Sequence, residues 1–199
     1  MADRPTPTPT PAQRLVSATL DLVSTAGYHG AGINQVLARA GVGNGSLYHA
    51  FPEGKSELVA AAVTAEADRV TAALRAALTG GTGAAIDLLF EVAVAELEAS
   101  GFGHGCRVTT VLADGSGVDA VRRAGDAALA TWVGLIADRF VDDGARRDDA
   151  EATAHALVAL YVGAWVCART SRSVAPMQAA HRAARDLGRS AVAPDADRT

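Results

Sequence analysis

The stretch Gly41-Val42-Gly43-Asn44-Gly45-Ser46-Leu47-Tyr48-His49-Ala50-Phe51 decides the fold of this chain. Glycines at alternate positions open it, and Leu47 and Phe51 close it four residues apart, the spacing of one helical face. Just upstream, Ile33, Val36, Leu37 and Ala40 trace another apolar face that stops at Gly41. Two short helices around a glycine-containing turn make a helix-turn-helix unit over residues 32–51. With Leu47 and Phe51 turned inward, Asn44, Ser46, Tyr48 and His49 fall at the start and on the outer faces of the second helix. A recognition helix presents such groups to a DNA major groove. Gly43 and Gly45 keep the N–H groups of that helix start uncovered, a setting that favours phosphate.

Working outward, Leu15, Ala18, Leu22 and Ala26 predict a first helix over 12–26 that Gly27 ends. The preceding MADRPTPTPTP, residues 1–11, alternates proline and threonine and offers nothing apolar to bury, so it predicts a disordered arm. Downstream, Phe51-Pro52-Glu53-Gly54 interrupts the pattern before a long helix from Lys55 to about Thr79. Ile86, Leu89, Phe90, Ala93 and Leu97 mark a fifth helix, closed by the glycine-rich run 101–105, which is a hinge or a tight turn. A short segment from Cys106 to Ala113 follows. The stripe Val121, Gly125, Leu129, Trp132, Ile136 and Phe140 then runs down a long helix to Gly144. Residues 147–170 are apolar on nearly every face, which requires burial on two sides. A last helix, about 175–190, carries Arg182, Arg185 and Arg189 on a solvated rim, and 193–199 form a flexible tail. No strand pattern appears. The expected fold is all-α with about nine helices: a helix-turn-helix DNA-binding domain over 12–54 and a second helical domain over 55–192.

Composition restricts the function less sharply. The chain has 199 residues, 49% of them hydrophobic, enough for one sizeable core or two small ones sharing a helix. The net charge is −4, so charge alone does not argue for nucleic acid. Residues 1–58 are nonetheless neutral, with Arg4, Arg14, Arg39 and Lys55 against Asp3, Asp21, Glu53 and Glu57, and the whole deficit lies beyond them. No apolar run approaches the roughly 20 residues of a membrane span, and no signal-peptide pattern opens the chain, which points to the cytoplasm. Cys106 and Cys167 lack any paired spacing; both are expected reduced and buried, with no metal and no cofactor.

The residues from Val36 to Phe51, followed by Lys55, resemble the signature of the TetR family of regulators: apolar-Ala-x-x-Ala-Gly-Val-x-x-Gly-Thr/Ser-Leu-Tyr-x-x-Phe and then a lysine opening helix four. Tyr28-His29-Gly30, the one-residue-longer Phe51-Pro52-Glu53-Gly54-Lys55 and Gly105-Cys106-Arg107-Val108 further resemble the LmrA/YxaF-like branch. The resemblance spans nearly the whole chain from residue 12. It implies that Ser46, Tyr48, His49 and Lys55 hold phosphates of double-stranded operator DNA, that Asn44 and Gly45 lie nearest base edges, and that Asn34 joins the same face. It also implies that residues 55–192 form a ligand-binding and dimerisation domain, with a homodimer through the last two helices and a small hydrophobic effector. Gly43 stands where the family usually has a capping serine, Asn44 where lysine is common, and Ala31-Gly32 where Thr/Ser opens helix two. These departures remove phosphate contacts, so operator affinity should depend more on the dimer and the arm, while Gln35 can still serve the second helix as its third residue.

Other chemistry in the chain is weaker. Gly41-x-Gly43-x-Gly45-Ser46 follows a helix rather than a strand and lacks a P-loop lysine, which sets nucleotide binding aside. His104 and Cys106 could form a base and nucleophile in a small helical enzyme or carrier, but no third orienting group is evident; Asp114 has no spacing that recommends it. No catalytic residue is therefore assigned. Phe90, Phe102, Cys106, Trp132, Tyr161 and Trp165 are the candidate lining of an effector cavity. The unbroken stripe around Trp132 favours the core for that residue, whereas Tyr161 and Trp165 suit the cavity or the dimer seam equally well.

Overall fold

Thr10 fixes where the helical part begins. Its hydroxyl accepts from the Gln13 N–H at 3.2 Å while its own N–H donates to Gln13 Oε1 at 2.8 Å. This reciprocal cap precedes Pro11, whose missing N–H costs nothing at a first helical position. The computed structural model describes residues 8–193, so most of the expected arm and all but the first residue of the expected tail lie outside it. Among the described residues there are nine helices and no strand. They are α1 (Pro11–Gly30), α2 (Ile33–Ala40), α3 (Asn44–Ala50), α4 (Lys55–Leu78), α5 (Thr82–Ala99), α6 (Arg107–Gly115), α7 (Asp119–Asp142), α8 (Arg147–Ser171) and α9 (Ala175–Val192).

The packing divides into two cores. The smaller joins Leu15 and Ala18 of α1, Val36, Leu37 and Ala40 of α2, Leu47 of α3, Phe51, and Leu58 of α4. The larger runs from Val59 and Val63 of α4 through the buried faces of α5 to α9. α7 carries the expected stripe, with Val121, Trp132, Ile136 and Phe140 all buried, and packs against both α4 and α8. α9 lies against α8 and α5.

Local differences from the sequence reading have physical causes. Helical geometry does break at Gly27 (φ 69°, ψ −174°), yet one further turn, Tyr28–Gly30, follows it. The 101–105 run is a tight turn held from α8, with Arg172 donating to the Gly101 carbonyl at 3.2 Å and Arg169 to the Gly103 carbonyl at 3.3 Å. On α9, Arg182 and Arg189 are exposed, but Arg185 is half-buried and paired with Asp87 of α5, beside a 2.7 Å His181–Asp87 contact. Within the single chain α8 is buried on one side only. Ala154, Leu157, Trp165 and Ala168 pack inward, while Ala156, Ala159, Gly163 and Val166 stay exposed, Val166 at 61%. Cys167 shares that open side and Cys106 is half-buried, so neither cysteine is fully buried as expected. By length and composition α8 could cross a membrane, which the sequence reading did not anticipate; its inner side is packed against α7 and α9.

One carboxylate ties two ends of the larger body together. Asp143, just beyond α7, accepts from the Thr82 N–H at 3.1 Å and the Thr82 hydroxyl at 2.6 Å at the start of α5, and pairs with Arg139. Burial pushes its pKa up, but the bonds from Arg139 and Thr82 outweigh this and leave it below the usual carboxylate value. A depressed folded pKa stabilises fully above the unfolded value, near 3.9, and is lost as pH falls through the folded one. Asp143→Ala should therefore lower the unfolding free energy by about 1–3 kcal/mol at neutral pH, with the difference shrinking below about pH 4. Urea unfolding of both proteins at several pH values checks this.

Candidate nucleic-acid interface and ligand cavity

The small core determines which residues of α2 and α3 face outward. α2 ends at Gly41 in the left-handed conformation (φ 63°), and the chain reverses into α3 within three residues. Leu47 and Phe51 are buried, which leaves Asn44, Gly45, Tyr48 and His49 exposed and Ser46 half-buried. Tyr48 is 58% exposed, large for an aromatic side chain with no partner surface. A Cβ built at Gly43 or Gly45 would meet nothing within 4 Å, so the start of α3 opens onto solvent. Asn34 is exposed on the first turn of α2. The Gly32 N–H at the α2 start donates to Gln35 Oε1 at 3.4 Å, which supplies half of the cap that a serine or threonine would have made.

Charge on this surface is sparse. Arg39 is bound by two bonds to Asp21, the shorter 3.0 Å, and Arg14 reaches the Gly41 carbonyl at 3.5 Å. Lys55 is half-buried, its Nζ 4.7 Å above the centre of the Tyr28 ring. Burial lowers the Lys55 pKa, and the Asp114 carboxylate opposes that shift. The lysine is thus steered by its surroundings rather than free to sweep the surface.

Asp114, which spacing did not recommend, is the residue that sequence reasoning missed. It lies on α6 and accepts from the Tyr28 N–H at 2.8 Å and the His29 N–H at 3.1 Å, capping the turn that follows the Gly27 break. Gly27 is needed twice over. Its φ of +69° is unfavourable for L side chains, and an added Cβ would lie 2.6 Å from Asp114 Oδ2. The α1 elbow is thereby locked to α6, and through it the helix-turn-helix head is joined to the larger body.

A cavity of about 200 Å³ opens into that body, walled by α4 to α8 and reaching solvent beside the exposed Leu88 and Val92. Of the expected residues, Phe90, Cys106, Trp132, Tyr161 and Trp165 line it; Phe102 does not, and instead packs on the large core from the 101–105 turn, where its φ is +62°. Trp132 is both core and lining: it is 7% exposed and its Nε1–H donates to Thr71 Oγ1 at 3.0 Å. Phe90, Tyr161 and Trp165 meet edge to face, with centroids 5.4 and 6.3 Å apart in sequence. Burial pushes the Tyr161 phenol far above its ordinary pKa, so it stays neutral. Glu66 and Arg69, two further lining residues that the sequence reading passed over, form a two-bond ion pair at 3.0 and 2.7 Å, with Glu66 only 5% exposed. A signal was present: Glu66 interrupts the apolar series Val59, Val63, Val70 and Leu74 on α4, with a cation three residues on. His104 is exposed and makes no hydrogen bond to Cys106, so the two do not form a base and nucleophile pair.

The family model for bacterial regulatory proteins of the tetR family matches residues 15–62, and that for the C-terminal domain of LmrA/YxaF-like transcriptional regulators matches residues 82–183. An uncharacterised HTH-type transcriptional regulator of Mycobacterium tuberculosis is 32% identical over 183 residues, covering 89% of this chain and 93% of its own. The HTH-type regulator LmrA of Bacillus subtilis is 41% identical over 51 residues, 26% of this chain and 27% of its own. Among solved structures, a regulatory protein TetR from Rhodobacter sphaeroides superposes with a TM-score of 0.76 at 27% identity, covering 89% of this chain and 96% of that one.

The elbow makes a direct prediction. Asp114→Ala leaves two backbone N–H groups without their acceptor and should cost about 1–3 kcal/mol of stability. Gly27→Ala, which combines the strained φ with a clash, should cost at least as much. Thermal unfolding measures both, and amide exchange should speed up at Tyr28 and His29 in the Asp114 variant.

Proposed function

Since the chain belongs to the TetR family of transcriptional regulators, as a DNA-binding protein and not an enzyme, we propose that it is a ligand-released repressor acting as a homodimer on a pseudo-palindromic operator. The observation that carries this reading is that two helices, α6 and α4, each reach from the helix-turn-helix head to the wall of the cavity. α6 contributes Cys106's neighbours Arg107 and Thr109 to the cavity wall and, within the same helix, Asp114 to the α1 elbow. α4 begins at the head with Lys55 and lines the cavity from Glu66 to Leu78.

In this reading Tyr48, Ser46, His49 and Lys55 hold phosphates, and Asn44, with Gly45 and Asn34 beside it, approaches base edges. The open side of α8, with Ala156, Ala159, Gly163 and Val166, and the exposed Ala179, Ala183 and Leu187 of α9 are the dimer seam. Small residues at helical spacing let a second pair of helices approach closely, and burial of Val166 and Leu187 supplies the apolar gain. That seam also accounts for an α8 apolar on both sides. The two recognition helices must stand about 34 Å apart to enter successive major grooves. A small, largely apolar effector that fits the cavity at a different spacing draws the population away from DNA. Such a protein works where bacterial DNA is, in the cytoplasm.

Binding to the DNA immediately upstream of its own gene, measured at two salt concentrations, tests the reading. Saturable protection of a pseudo-palindrome supports it; protein that stays monomeric and ignores that DNA overturns it. Tyr48→Ala and Lys55→Ala should each weaken operator binding about tenfold or more and leave the dimer intact. Only Lys55→Ala should reduce the salt slope, by about one. Val166→Glu should convert the dimer to monomer in gel filtration, and operator affinity should fall with it.

A further inference from the structure

The cavity is a channel between two helices, with unlike ends. α4 lines it from Glu66 to Leu78, about 18 Å at 1.5 Å per residue, and α5 returns along it from Thr82 to Glu96. Beside the short turn that joins the two helices the lining is apolar, with Leu74, Leu78, Ile86 and Ile136. The far end is ionic. There Arg69 binds Glu66 through two bonds of 3.0 and 2.7 Å, and Glu96 approaches from α5. The bonds with Glu66 hold the Arg69 guanidinium above its ordinary pKa against the cost of burial, and the charges of Glu66 and Glu96 both add to the shift. Tyr161 belongs to the same end. After burial and its hydrogen bond with Trp165, the charges of Cys106, Glu96 and Arg69 act on its phenol.

Two carboxylates therefore stand against one guanidinium at this end of the channel. Arg107 also lines the cavity, but it is exposed and its charge is not among those acting on Arg69 or Tyr161. The ion pair is lopsided as well: the Glu66 side chain is 5% exposed and that of Arg69 61%. A guanidinium so well hydrated can turn further into water at little cost, whereas the buried carboxylate needs a cation beside it. A ligand ammonium placed between Glu66 and Glu96 would balance the cluster at two charges of each sign. A ligand carboxylate would leave three negative charges against one positive. The aromatic rings of Tyr161 and Trp165 favour the cation too. Resting on the reading of this cavity as the effector site, we propose that its effector is a cationic amphiphile, an amine whose ammonium pairs with Glu66 and Glu96 while its apolar body fills the channel toward Leu78.

Three ten-carbon probes that differ only in the head group test this without DNA: decylamine, decan-1-ol and decanoate, each below its aggregation concentration, titrated into the full-length protein by calorimetry at neutral pH. The amine should bind about tenfold or more tightly than the alcohol, and decanoate more weakly than either. Glu96→Gln, at an exposed position, should weaken amine binding about fivefold or more and leave the alcohol within about twofold. Glu66→Gln should do the same in protein whose circular dichroism is unchanged. Glu98→Gln, an exposed carboxylate outside this cavity, should alter neither probe, which separates pairing in the channel from general attraction to an acidic protein. Equal affinities, a preference for the amine that survives in folded Glu96→Gln and Glu66→Gln, an equal loss in Glu98→Gln, tightest binding by decanoate, or no binding by any probe would each overturn the proposal. The decanoate result would transfer the anchor to Arg107. Release of operator by bound decylamine is a separate measurement: its failure would count against the effector reading and leave the amine preference of the channel intact.

Discussion

The structure depends on α4 belonging to two cores at once. Leu58 and Val59 are neighbours in sequence and both fully buried, at 0% and 1% exposure, yet the first closes the small core under the helix-turn-helix and the second opens the large one. Adjacent positions on a helix point about 100° apart, so one helix can seal two bodies only where they meet on either side of it. The small core has eight buried residues and draws on every helix from α1 to α4. A core that small gives a domain little stability of its own. Its orientation is therefore set by the helix it borrows from its neighbour.

A shared helix alone would leave the head free to swing, and the Gly27 elbow removes that freedom. Asp114 binds two consecutive N–H groups of α1 from the end of α6 whose other end borders the cavity. α6 has nine residues, about 13 Å of rigid rod. No chain of subtle rearrangements is needed between the two places, because one short helix touches both. The strained glycine and the carboxylate also explain each other: the positive φ presents the Tyr28 and His29 N–H groups in one direction, and the missing Cβ makes room for the acceptor.

Nearly all of the architecture was legible in the sequence, because helical period and glycine punctuation are local signals. α2, α3 and the α7 stripe follow directly from apolar spacing, and the outward positions of Asn44, Tyr48 and His49 follow from the inward ones of Leu47 and Phe51. What could not be read was pairing between distant segments. Asp114 and Tyr28 are 86 residues apart, Asp87 and Arg185 are 98 apart, and nothing in either neighbourhood announces the other. Phe102 failed as a cavity residue for a related reason. Composition marks it as an aromatic near the right helices, but the positive φ that turns it onto the core is a property of the folded turn. The open side of α8 was legible only as an excess, an apolar helix with more faces than one chain could cover.

The scarcity of cations on the recognition surface connects these features to the proposed switch. Arg39 is committed to Asp21 and Lys55 leans on Tyr28, so most phosphate contacts available to one head are neutral and individually weak. A dimer of weak heads holds DNA by engaging both at once, and simultaneous engagement is worth a factor of about 10²–10⁴ that vanishes when the spacing is wrong. A ligand acting on such a protein does not have to disrupt either head. In the proposed switch it has only to prefer a spacing at which the second head misses its groove, and the hydrogen bonds of Asp114 to Tyr28 and His29 are the contact through which the body would carry the head.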